Sequence, residues 1–318
     1  MQEGDKKVLL SGVKPTGRPH LANYFGAMKQ FVDLQNDHNC HIMIADLHAL
    51  ISVQNGAELK GMTLDLAMDY LAIGLDPAKV MLFKQSDVTE HTELAWIFNC
   101  LTTMPYLARA HAFKDAEAKN KEVNVGLFDY PILMAADILM YDADIVPVGQ
   151  DQKQHIEITR DTAEKFNRIY GETFKLPEPL IIPNVQTIPG IDGQKMSKSY
   201  NNHIPLFSTD DEIRKLVMSI VTDSSGETPK NVYALHKLFR SESELATVYE
   251  EKKGKYKDLK EALAEDIIAF VKPLRERREA IAAEPEKVRA ILQEGSAVTR
   301  DLASKKMKTV REKIGLGL

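Results

Sequence analysis

An α/β fold, a doubly wound parallel sheet followed by an all-helical C-terminal domain, is what the sequence predicts. Three observations carry that expectation. The first half of the chain alternates short apolar runs with helix-like segments, the pattern of parallel strands covered by helices on both faces. After about residue 207 only helical patterns remain. The 318 residues are enough for two domains of roughly 150 residues each.

The strands come first. Residues 8–10 are apolar and stop at Ser11-Gly12, residues 42–45 stop at Asp46, residues 80–83 stop at a polar cluster, and residues 145–148 stop at Gly149. Between them, residues 21–35, 58–73, 89–101 and 150–169 read as helices. Further on, Ser208 and Thr209 are cap candidates, with Glu212 three residues after Thr209, and Ile213, Leu216, Val217 and Ile220 form a stripe. Leu259, Leu263, Ile267, Phe270 and Leu274 form another, which Pro273 is expected to kink or end. Pro285 suits the first turn of a further helix. The Lys-rich end carries Leu302, Val310 and Ile314 as its apolar face. The expected division is residues 1–187 for the α/β domain, 188–207 for a mobile linker and 208–318 for the helical domain, its last helix able to pack back on the first domain.

Composition narrows the function. With 44% apolar and 27% charged residues the chain reads as an ordinary soluble globular protein, and a net charge of −5 argues against a surface that binds nucleic acid throughout. The charge is −7 over residues 1–200 and +2 over the rest, which permits a local basic face. Cys40 and Cys100 form no Cys-x-x-Cys pattern, so neither a disulfide framework nor a cysteine-based metal site is expected. His38, Cys40 and His41 fit no standard metal spacing. There is no leader with an apolar core and no run of about 18 apolar residues. A cytoplasmic protein without a membrane segment is the expectation.

Ligands of such sheets sit beyond the carboxyl ends of the strands, which directs attention to residues 11–17, 46–48, 84–87 and 149–152. SGVKPTGRPHLANYFGA, residues 11–27, leads a strand through glycines and prolines into a helix start near His20. Glycines admit close backbone approach, and the helix N-terminus offers free N–H groups, so the turn can cradle phosphate. It matches neither the P-loop nor the dinucleotide fingerprint. DGQKMSKSYNN, residues 192–202, is a loop with Lys195 and Lys198 among small serines. Asp137 lies in the apolar run PILMAADILMY, where a bare carboxylate is costly and must find donors.

His20-Leu21-Ala22-Asn23 at the first strand–helix turn, with Lys195-Met196-Ser197-Lys198-Ser199 far downstream, resembles the class I aminoacyl-tRNA synthetases. The closer resemblance is to the bacterial tryptophanyl-tRNA synthetases. It is carried by residues 11–27 and by YPILMAADILMYDADIVPVGQDQKQHIEITRD, residues 130–161, and runs from about Val8 to Leu318. It implies a Rossmann-like catalytic domain, a mobile Lys-Met-Ser-Lys-Ser loop and a helical domain that binds the tRNA anticodon. The implied reaction joins L-tryptophan to ATP and then to its cognate tRNA.

By the same resemblance, Lys195, Lys198, Thr16 and Gln152 are catalytic. ATP is held by Lys14, Pro15, Thr16, Ala22, Asn23, Gly149, Gln150, Asp151, Ile188, Met196, Ser197 and Ser199 together with the two lysines. Tryptophan is held by Asp137, which accepts the indole N–H, and by Tyr130, Met134, His48, Val146, Val148 and Gln152. Read without it, Met134 and both valines are core residues, and His48 is as readily structural as functional. Mg²⁺ bridging the phosphates is expected from the chemistry, with few protein ligands. The lysines answer the charge of the departing pyrophosphate.

Ala22 stands where the family usually has Gly, and one methyl can push adenine away; Lys14 stands where many relatives have Gln, and its charge can compensate. A lysine of residues 110–123 reaches phosphate in relatives; here Ala116 stands at the matching position, with Lys114 and Lys119 nearby. Relatives are homodimers, joined through the region around 90–145. Trp96, the single tryptophan, reads as core or subunit interface. Lys252, Lys253, Lys255 and Lys257, or Arg275, Arg277 and Arg278, can serve as phosphate contacts or as solvated faces. The rival readings are a tyrosine-specific ligase, a small nucleotidyltransferase, and an inactive paralogue that binds tryptophan or RNA.

Overall fold

In the computed structural model of the chain, residues 6–110, 113–114, 123–181, 188–222 and 228–317 are described. Five strands form one parallel sheet: β1 Val8–Val13, β2 Asn39–Ile44, β3 Val80–Lys84, β4 Ile145–Val148 and β5 Glu178–Ile181. Their order is β3-β2-β1-β4-β5. The chain therefore winds outward from β1 to β3, then returns to the other side of β1 for β4 and β5. The fold is the doubly wound α/β class with a helical C-terminal region. Four strands lie at the apolar runs. β5 was not anticipated: its sequence, EPLI, carries Pro179, which an edge strand tolerates.

Alternate side chains of a strand point to opposite faces. Leu9, Ile42 and Leu82 enter one core, and their neighbours Leu10, Met43 and Phe83 enter the other. The first core receives Leu66 and Tyr70 of the Gly56–Ala72 helix. It continues into the C-terminal region through Leu259, Leu263 and Ile267 of the Tyr256–Ala282 helix. The second core is covered by the Glu90–Leu101, Val125–Leu139 and Lys153–Tyr170 helices.

The helix expected over 21–35 runs from Leu21 to Leu34 and widens into a π-turn at Tyr24–Met28. Two expectations are corrected. Pro273 does not end its helix, which runs on to Ala282. Buried Ile267, Val271 and Leu274 hold the helix on its core across the interrupted hydrogen bond. Leu302 is exposed; the buried stripe of the last helix, Pro285–Lys313, runs instead through Val288, Leu292, Gly295, Ser296, Thr299, Ala303, Met307 and Val310.

The small members of that stripe explain where the helix lies. It packs back on the sheet against β3, an edge strand. A Cβ on Gly295 would stand 2.0 Å from the Leu82 carbonyl oxygen and 2.8 Å from its carbon. The arginines offered as phosphate contacts are spent inside the molecule. Arg278 pairs with Asp65 and buried Asp69, Arg277 donates to the Ala72 carbonyl, and Arg275 binds Ser208 and Asp210. Burial raises the Asp69 carboxyl to about 6 against the opposing effect of Arg278. Among the described residues, no helix is long and apolar enough to cross a membrane.

Candidate active site

β1 and β4 share one register pair, Leu9 with Ile145. Beyond it no further pair joins them, and their carboxyl ends leave a crevice at the point where the winding reverses, the usual ligand position of such sheets. A cavity of about 640 Å³ opens there. Tyr130, Met134, Asp137, His48, Val146, Val148 and Gln152, separated by up to 104 positions, line it together. Lys14, Asn23 and Gly149 line it as well.

Asp137 faces this cavity at 2% exposure. His48 Nε2 donates to its Oδ2 at 2.8 Å and His91 Nδ1 to its Oδ1 at 2.6 Å. The Gln85 amide donates to both oxygens, at 2.8 and 2.9 Å. Gln85 is itself oriented, since its Oε1 accepts the backbone N–H groups of Leu47 and His48. Burial alone would raise the Asp137 carboxyl; hydrogen bonds from His48 and His91 outweigh it and hold the group below the usual carboxylate range. These three side chains make four hydrogen bonds to the two oxygens, about as many as the lone pairs hold, so a ligand N–H must share an oxygen with one of them or displace it. The lining is mostly apolar, with Ser11, Lys14, Asn23, His48, Tyr130 and Gln152 as its other polar members; the Tyr130 hydroxyl is fixed on His155 at 2.7 Å.

A second cavity of about 270 Å³ adjoins the first through Val13, Lys14, Asn23 and Ala27, and adds Thr16, Gly17, His20, Ser197 and Lys198. His20 caps the Leu21–Asn23 helix: its Nδ1 accepts the Asn23 N–H at 3.3 Å, and Asn23 Oδ1 accepts the His20 N–H at 3.1 Å. Burial, with nearby His203 and Lys198, pushes the His20 imidazole down to about 4. The neutral ring accepts through Nδ1, so its Nε2 carries the proton and is a donor. Gly12 cannot be larger, because a Cβ there would meet the Met43 carbonyl oxygen at 2.7 Å.

The Lys-Met-Ser-Lys-Ser loop is fastened at its base. Met196 N–H donates to Ile188 O at 2.9 Å. Asn202, buried, accepts from Ser197 N–H at 2.8 Å and donates to Asp192 at 2.8 Å and to Lys195 O at 3.1 Å. Lys198 Nζ donates to the carbonyls of Thr16 and Gly17, at 3.1 and 2.8 Å, closing the loop onto the first turn.

Of the expected ATP residues, Lys14, Thr16, Asn23, Gly149, Ser197 and Lys198 thus line the two cavities. Ile188 and Met196 are buried core side chains that anchor the loop, Pro15 is buried, and Ala22 packs half-buried on the first core. Gln150, Lys195 and Ser199 are exposed beside the cavities without lining them. The Asp151 side chain, Ala116 and Lys119 lie outside the described residues, and Lys114 is exposed. Sequence reasoning missed Gln85, His91 and Asn202. Gln85 follows the third apolar run and was within reach of the strand-end rule; nothing local marks His91 or Asn202.

Over residues 2–284 the chain matches the family model described as tRNA synthetases class I (W and Y). The tryptophan–tRNA ligase of Fusobacterium nucleatum is 48% identical over 316 residues, which cover 96% of this chain and 97% of that one. The tryptophanyl-tRNA synthetase of Campylobacter jejuni, solved with ADP and tryptophan, superposes with a TM-score of 0.91 at 42% identity, over 97% and 100% of the two chains. A tyrosyl-tRNA synthetase of Archaeoglobus fulgidus shares the fold at a TM-score of 0.68 but is 19% identical, over 86% and 91% of the two chains.

Proposed function

The chain belongs to the class I tRNA synthetases of the tryptophan and tyrosine type, and on that premise we propose that it is a tryptophan–tRNA ligase whose Asp137 reads the indole N–H. The observation that carries the choice is the carboxylate itself, kept ionised by two histidines and a glutamine on the wall of a mostly apolar cavity. An ionised carboxylate only accepts and an indole only donates.

Tryptophan occupies the larger cavity with its ring between Met134 and the two valines, Val146 and Val148. Its carboxylate oxygen attacks the α-phosphorus of ATP, the bond to the β-phosphate oxygen breaks, and pyrophosphate leaves. In the second step a ribose hydroxyl of tRNA attacks the acyl carbon and AMP leaves. Neither step calls for a protein nucleophile; placement and charge do the chemistry. The turn from Lys14 to Gly17 and the His20 Nε2–H receive the phosphates. Lys195 and Lys198 neutralise the departing pyrophosphate, and Gln152 orients the amino acid. Mg²⁺ would enter with ATP as part of the substrate, since the residues lining the smaller cavity include no carboxylate.

Residues 1–187 are assigned to activation, 188–207 to the phosphate-closing loop and 208–318 to the anticodon, with the enzyme acting in the cytoplasm. A homodimer is supported by Trp96, Met104 and Val125, which are 70%, 69% and 79% exposed in the region expected to meet the partner. The test is ATP–pyrophosphate exchange with tryptophan, with tyrosine and with neither. Exchange with tryptophan alone is expected, because a site built for one polar pattern rejects the other by about 10⁴-fold or more. Exchange with tyrosine alone overturns the reading of Asp137. Asp137→Asn is expected to raise the KM for tryptophan by about 10- to 100-fold, the loss of one hydrogen bond to a charged group.

A further inference from the structure

We propose that recognition at Asp137 is set through Tyr141 and His91, which act as positioning residues for the carboxylate. The inference rests on the reading of Asp137 as the indole acceptor. His91 is wholly buried and bridges two groups: its Nδ1 reaches Asp137 Oδ1 at 2.6 Å, and its Nε2 reaches the Tyr141 hydroxyl at 2.8 Å.

The polarity of the bridge is determined at its substrate end. An ionised carboxylate cannot donate, so His91 Nδ1 carries the proton. With Nδ1 on the carboxylate, Nε2 is left to the Tyr141 hydroxyl at 2.8 Å. Tyr141 is held by three rings from separate elements: His41 of β2 at 5.1 Å, Phe83 of β3 at 5.6 Å and His91 at 5.5 Å between centroids. A hydroxyl so confined orients His91, and His91 orients one oxygen of Asp137. Gln85 reaches both oxygens, and His48 holds the second one beside the cavity. None of these groups except Asp137 and His48 lines the cavity, so His91 and Tyr141 act only through the carboxylate.

The experiment is pyrophosphate exchange with tryptophan and with the analogue in which sulfur replaces the ring N–H, β-benzothienylalanine. It is run on the full-length wild type and on Tyr141→Phe. The wild type is expected to favour tryptophan. Tyr141→Phe keeps the three ring contacts and removes the hydroxyl; it is expected to lower the tryptophan-to-analogue ratio of kcat/KM by about threefold to tenfold. The change is expected in KM, with kcat and the KM for ATP unchanged. A wild-type ratio in Tyr141→Phe, or an equal loss of kcat with both substrates, overturns the relay. A wild type that does not distinguish the two substrates overturns the indole reading, and the relay with it.

Discussion

Gly295→Ala is expected to destabilise the protein, and Gly61→Ala to stabilise it, although both replace a glycine inside a helix. Alanine is favoured over glycine in a helix interior by about 1 kcal/mol. At Gly61 nothing lies within 4 Å of the added Cβ, so that gain is realised. At Gly295 the Cβ would stand 2.0 Å from the Leu82 oxygen, where an ordinary C···O contact is about 3.3 Å or more. The obstacle is strand backbone, so the helix and β3 must separate by roughly 1 Å. A gap of that size forfeits a quarter to a half of each dispersion contact, and forced overpacking costs about 1–3 kcal/mol or more. Set against the helix gain, a net loss of about 1–2 kcal/mol remains. Urea unfolding of the two variants beside the wild type measures it through the shift in midpoint at unchanged slope. Midpoints that rise together would refute the close crossing of the last helix over β3.

Lys198→Ala is expected to lower kcat for pyrophosphate exchange by about 100- to 1,000-fold with little change in the KM for tryptophan; steady-state kinetics with tryptophan varied measures it, and a change in KM alone would place Lys198 in amino-acid binding instead. His41→Leu tests acid stability. Burial pushes the His41 imidazole down to about 4, below its unfolded value of about 6.5. The unfolded chain therefore binds more protons between those values, and stability is complete above pH 6.5 and falls towards pH 4. That group accounts for about 2–3 kcal/mol of the fall, so the variant is expected to lose less stability than the wild type between pH 7 and pH 4.5; parallel losses in urea titrations would show that His41 carries none of it.

How much could be read in advance follows from the range of each interaction. Strands β1 to β4 announce themselves because they are buried on both faces and read as unbroken apolar runs. β5 does not, since an edge position relaxes the demand and admits Glu178 and Pro179. Thr209 and Glu212 form the capping box that their spacing predicts, because the signal is contained in four residues. Pro273 obeys tertiary packing over local propensity. In the site, Asp137 could be flagged as a buried carboxylate needing donors. Its donors could not be named, because they come from 52, 46 and 89 positions away. Asn202 is similar: it reads as a loop asparagine until the fold turns it inward beneath Lys195 and Ser197.

The docking of residues near 295 on residues near 82 also bears on how the protein is made. Translation proceeds from the N-terminus, and domains fold as they emerge. All five strands leave the ribosome before the Pro285–Lys313 helix exists, so a nascent sheet waits with β3 uncovered. An uncovered edge strand is a template for pairing with another chain. A polypeptide released early, from a broken message or a premature stop before Pro285, keeps that edge open for good. Such a fragment retains every strand of the sheet and is a natural substrate for chaperones and proteases, which would remove it before it could compete for tryptophan or ATP.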